Sequence, residues 1–151
     1  MTAVVDASVL VATLTSGDAK GRWAEARVER HSLTAPELVM AEASQTLRRL
    51  EFNGTASRTE ASIARYRLLG LDIDLYPFAP FADRTWELRH NITIYDAWYV
   101  ALAEALSCPL LTLDRRLARA PGPTCEIITP PDLRIIREPA IASGWTPFSS
   151  G

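Results

Sequence analysis

The sequence predicts an α/β fold in which helices cover a parallel sheet of four to five strands. Three observations lead there. Short apolar runs of strand length, at residues 3–5, 110–113 and 126–128, alternate with longer stretches of helical periodicity. Those longer stretches can serve as crossover helices, which is how parallel strands are joined. A chain of 151 residues with 48% hydrophobic content is of one-domain size. At that size roughly two-thirds of the unfolded surface is buried.

Each element has its own signal. Residues 3–5 form a short buried strand that ends at Asp6, and the helical run at 7–14 stops at Ser16-Gly17-Asp18. A second helix covers 19–31 and turns Trp23, Ala24, Val28 and His31 inward. Thr34-Ala35-Pro36 opens a third, with Pro36 in its first turn. Its stripe of Val39, Met40, Ala43, Leu47 and Leu50 runs to Asn53-Gly54. Ser57-Arg58-Thr59-Glu60 is a capping box for a helix reaching residue 69. Alternation at Leu71-Asp72-Ile73-Asp74-Leu75 marks a half-exposed edge strand, closed by Pro77. A helix at 81–89 and a loop at 91–94 lead to an apolar helix at 97–106, with Ala97, Ala101 and Ala105 as a small-residue ridge. A buried strand at 110–113, a short helix at 114–120 and a last strand at 126–128 complete the domain, which is assigned to residues 1–136. Residues 137–151 read as a Pro-, Gly- and Ser-rich tail carrying Trp145 and Phe148.

Composition narrows the chemistry. With 16 basic and 18 acidic residues, a net charge of −2 argues against coating nucleic acid by charge alone. Lys20 is the only lysine and fits no phosphate-binding loop. Cys108, Cys125, His31 and His90 are scattered, so no zinc site of the usual spacing is expected. Unpaired cysteines suit a reducing, cytoplasmic setting. No leader pattern or apolar run of spanning length is read from the sequence.

Four acids stand out against this background. Asp6 and Asp114 follow buried strands, Asp96 opens the most apolar helix, and Glu42 interrupts an apolar helical stretch. Taken singly, Asp6, Asp96 and Asp114 read as helix caps and Glu42 as a solvated side chain. Taken together, Asp6 and Asp114 fall at the carboxyl ends of strands, where a parallel sheet gathers its ligands, Asp96 is held at the start of the most buried helix, and Glu42, between Ala41 and Ala43, has room to approach them. Converging carboxylates repel each other and call for a cation, and such a site hydrolyses phosphodiesters with metal-activated water.

In order along the chain, Val4-Val5-Asp6-Ala7-Ser8, Pro36-Glu37-Leu38-Val39-Met40-Ala41-Glu42, Tyr95-Asp96-Ala97-Trp98-Tyr99-Val100-Ala101 and Leu111-Thr112-Leu113-Asp114 resemble the motifs of the PIN-domain ribonucleases. The likeness is strongest to the toxins of VapBC-type toxin–antitoxin pairs. It implies a three-layer α/β/α domain and an Mg2+-dependent endoribonuclease, with Mn2+ as a possible substitute. Asp6, Glu42, Asp96 and Asp114 become catalytic and metal-binding, with Asp6 and Asp96 as direct ligands and Asp114 acting through water. Ser8 and Thr112 become the hydroxyls that orient them. Ala7 stands where many relatives carry Thr, which removes a hydroxyl and no ligand. The resemblance also implies structured or loop RNA such as tRNA or rRNA as substrate, a cognate antitoxin as partner, and a homodimer within a larger hetero-oligomer.

Substrate contacts are expected from Arg115 and Arg116, beside Asp114, with Arg84 and Arg89 as further candidates and Arg48-Arg49 as surface residues. Two other readings compete. One is a non-catalytic RNA-binding or regulatory relative, which the presence of all four acids disfavours. The other is a phosphatase or receiver domain, which lacks its second aspartate after Asp6 and its lysine near the last strands.

Overall fold

The computed structural model describes residues 1–131. The 137–151 tail, with Trp145 and Phe148, and the expected boundary at residue 136 lie outside the described residues. The chain runs β1 (Thr2–Val5), α1 (Ala7–Thr15), α2 (Ala19–Arg30), β2 (Ser32–Pro36), α3 (Leu38–Phe52), α4 (Arg58–Leu69) and β3 (Ile73–Tyr76). A 3-10 turn (Ala79–Phe81), α5 (Ala82–Glu87), α6 (Ile94–Leu106), β4 (Leu110–Leu111), α7 (Arg115–Arg119) and β5 (Ile127–Ile128) follow. The five strands pair in parallel in the order β3-β2-β1-β4-β5.

That order follows from burial. β1 is central, and Ala3, Val4 and Val5 are fully buried, as a parallel strand covered on both faces requires. β1 pairs with β2 through Ala3 and Leu33, and with β4 through Val5 and Leu111. α1 packs on α2, α3 and α4, while α6 lies across β1, β2 and β4 with α5 against it. Seven consecutive residues of α6, Ala97 to Ala103, are buried, so this helix is enclosed nearly all round. Ala97 and Ala101 of the small-residue ridge are among them, while Ala105 is exposed.

Several elements match the sequence reading. β3 is an edge strand, with Asp74 and Leu75 exposed. The α4 capping box is formed: Ser57 Oγ accepts from Glu60 N at 3.0 Å and Glu60 Oε1 accepts from Ser57 N at 3.1 Å.

Others differ. Thr34, Ala35 and Pro36 do not open a helix; they are the buried end of β2, between β1 and β3. Pro36 sits at the last strand position, where the next ladder bond is made by Glu37 N to Tyr76 O, at 2.9 Å. Its missing N–H therefore costs the sheet nothing. The helix expected at 81–89 is split into the 3-10 turn and α5. α6 begins at Ile94 rather than after Asp96, because Thr93 caps it.

Candidate active site

Asp6 leaves β1 where the sheet changes direction. β2 and β3 lie to one side of β1 and β4 and β5 to the other, so the crevice beyond β1 and β4 is the fold's natural ligand position. The Asp6 N–H donates to Leu111 O at 3.0 Å, which fixes it to β4. Its Oδ2 accepts from Ser8 Oγ at 3.1 Å and from Thr112 Oγ1 at 2.6 Å. Both hydroxyls also accept: Ser8 Oγ from Leu113 N at 3.2 Å, and the fully buried Thr112 Oγ1 from Asp114 N at 3.0 Å. Two hydroxyls thus stitch the segment after β4 to the carboxylate after β1.

The acids differ in what holds them. Asp114 caps α7, its Oδ1 accepting from Arg116 N at 2.8 Å and Leu117 N at 3.4 Å. Asp6 occupies the cap position of α1 but makes no cap bond, since Ser8 and Thr112 engage its carboxylate instead. Asp96 is not a cap either. It lies in the first turn of α6, and its own N–H is capped by Thr93 Oγ1 at 3.1 Å. Of the three expected caps, Asp114 alone serves as one. Glu42 is half-buried on α3, and Tyr99, buried on α6, donates its hydroxyl to Glu42 Oε1 at 2.9 Å.

The four carboxylates form one electrostatic group. Burial raises the pKa of Glu42 above the usual carboxylate value, the Tyr99 hydrogen bond offsets part of this, and Asp6 and Asp96 push it up further. Burial likewise raises Asp96, with repulsion from Asp6 and Asp114 adding to it and the Thr93 contact opposing it. The Tyr99 hydroxyl is raised by burial, then by Glu42, Asp6 and Asp96, so it stays a neutral donor. Among the described residues, what acts on Glu42 and Asp96 is burial, hydrogen bonding and other acids. Among the described residues no three His, Cys, Asp or Glu side chains form a ready-made metal cage.

The arginines separate. Arg116 is exposed on α7, whereas Arg115 is half-buried and donates to Pro130 O at 3.3 Å. Arg84 is committed elsewhere: its Nε meets Glu104 Oε2 at 2.7 Å, and it also reaches Glu87 and Gly122 O. It clamps α5 to α6. Arg89 lies over the Trp86 ring, while Arg48, over Phe52, and Arg49 are surface residues. Sequence reasoning missed Tyr99 and Thr93. The available signals were spacing, since Tyr99 falls three residues after Asp96 on one helical face, and the Thr93 hydroxyl three residues before Asp96.

Residues 3–123 match the family described as the PIN domain. Ribonuclease VapC1 of Mycobacterium tuberculosis is 43% identical over 125 residues, covering 82% of this chain and 94% of the relative. A crystal structure from Pyrobaculum aerophilum aligns with a TM-score of 0.62 at 25% identity, over 84% of this chain and 83% of that one. VapBC2 from Rickettsia felis, solved with a promoter DNA fragment, shares the fold at a TM-score of 0.60 and 14% identity, over 85% of this chain and 98% of that one.

Proposed function

The chain belongs to the PIN-domain family, in its VapC ribonuclease branch, and on that footing we propose that it is the endoribonuclease toxin of a toxin–antitoxin pair. The supporting observation is the mutual repulsion of Asp6, Glu42, Asp96 and Asp114 at the sheet's switch point. Glu42 and Asp96 are partly buried among like charges, and such groups are costly to keep ionised.

The donor set suits Mg2+, or Mn2+, because it offers hard carboxylate oxygens. The absence of a tight three-acid cage among the described residues is compatible with a cation that keeps several waters of its own. When bound, such a cation supplies Lewis acidity and a water of lowered pKa. Asp6, oriented by Ser8 and Thr112, and Asp96, on the enclosed α6, are the direct ligands. Glu42 completes the set and Asp114 acts through water. Arg116, two residues beyond Asp114 and exposed, meets an RNA phosphate. The substrate is RNA in loops, as in tRNA or rRNA, where unpaired bases can be splayed out and read.

A small antitoxin is the partner, and family membership also supports a homodimer and a cytoplasmic setting. An apolar groove of about 470 Å³, lined by Val11, Leu14, Leu50 and Ile63, runs up to Ser8 and Leu113 beside the acids. An antitoxin helix seated there can place an Arg among the carboxylates. The experiment is RNA cleavage by Asp6→Asn and Asp96→Asn in the presence of Mg2+. Both fold, because Asp6→Asn keeps an oxygen that accepts from Thr112 and the α6 cap is Thr93 rather than Asp96, and both lose cleavage. Wild-type rates in either variant would falsify the assignment for that residue.

A further inference from the structure

Glu42 differs from the other acids in how it is held. Asp6 is short and receives two hydroxyls, and Asp114 is tied to the first turn of α7. Glu42 has a longer side chain, which loses more rotamer freedom when ordered, and it faces two other carboxylates that repel it. Among the described residues one side chain hydrogen-bonds its carboxylate. Tyr99 lies three residues after Asp96 on the same face of α6. The residue is 2% exposed, so the phenol is a rigid post rather than a mobile arm. Its hydroxyl crosses from α6 to α3 and donates to Glu42 Oε1 at 2.9 Å. Oε2 is a second acceptor on the same carboxylate, so holding one oxygen does not use up the group.

We propose that Tyr99 is a positioning residue for the acidic site: its buried hydroxyl sets the direction of the Glu42 carboxylate and couples it to Asp96 through α6. The proposal rests on the reading of Glu42 as a metal ligand. In that setting Tyr99 does for Glu42 what Ser8 and Thr112 do for Asp6. The family resemblance did not single it out, because a tyrosine within an apolar helix reads as core.

The test is Tyr99→Phe, which keeps the buried ring and deletes only the hydroxyl, with Mn2+ binding measured by calorimetry without RNA. We expect Mn2+ affinity to fall by about 10-fold or more, in line with the loss of a group that orients a ligand. In cleavage assays kcat falls while the KM for RNA is unchanged, since Tyr99 is buried and its hydroxyl is spent on Glu42. In a double-mutant cycle with Glu42→Gln, the second substitution adds no further loss of Mn2+ affinity, because the two side chains act as one unit. Unchanged affinity in Tyr99→Phe, additive losses in the cycle, or failure of Tyr99→Phe to fold each overturn the proposal. If Glu42→Gln itself binds Mn2+ like the wild type, the ligand reading of Glu42 fails first. If Glu42→Gln is impaired and Tyr99→Phe is not, only the positioning role fails.

Discussion

Asp96 carries opposing demands within one side chain. It is partly buried, and it is repelled by Asp6 and Asp114, so its pKa is raised. The consequence for stability has a definite sign. Below the ordinary carboxylate pKa both folded and unfolded chains hold the proton, and there is no penalty. As pH rises, the unfolded chain releases its proton first, so folding loses stability until the folded-state pKa is passed. Above it the penalty is complete. Asp96→Asn therefore raises the melting temperature of the metal-free protein at pH 7. That advantage disappears at about pH 3, below the usual carboxylate range. Scanning calorimetry of both proteins at the two pH values checks this. A variant less stable than wild type at pH 7 would show that Asp96 serves the fold rather than burdening it. The cap of α6 is unaffected, because Thr93 supplies it.

Elements show where the sequence was legible and where it was not. β1, α4 and the edge strand β3 were readable because their signals are local: an apolar run, a capping box, an alternation. β2 was not. Ala-Pro at its end serves equally as the first turn of a helix, and only the neighbouring strand decides between them. The same limit applies at the site. Three acids near element ends and one inside a helix could be picked out from the sequence, but whether an aspartate caps a helix depends on which hydroxyls face it. Ser8 is near Asp6 in sequence and Thr112 is far away, and Thr112 makes the shorter bond. Tyr99 and Glu42 are likewise joined only by the packing of α6 against α3. Packing also explains one glycine. Gly21 is buried in the first turn of α2, where an added Cβ would meet Ser16 O at 1.9 Å. Gly21→Ala forces α1 and α2 apart at a cost of about 1–3 kcal/mol, the usual range for overpacking. Gly17→Ala, with nothing within 4 Å, should be nearly neutral. Chemical denaturation of the two variants gives the comparison, and equal midpoints would show that the α1–α2 contact yields without strain.

At the scale of the whole molecule, folding gathers charges that the unfolded chain keeps apart. β1 and β4 run side by side at the switch point, α3 and α6 bring Glu42 and Asp96 toward it, and four carboxylates from distant parts of the sequence come within electrostatic reach. A divalent cation that binds this arrangement binds the native state and not the unfolded one. Mass action then stabilises the fold by about 2.7 kcal/mol at 100 times the dissociation constant. For a chain of this length that corresponds to a rise in melting temperature of roughly 5–10 °C. Mg2+ or Mn2+ should produce the rise, and KCl at matched ionic strength should not, because screening alone does not single out one site. Asp6→Asn/Asp96→Asn should lose it. Lowering the pH should also shrink it, earlier than for ordinary carboxylates, since Glu42 and Asp96 hold their protons to higher pH and protons compete with the cation. An equal rise in the double variant would place the cation elsewhere on the surface and separate the acidic cluster from metal binding.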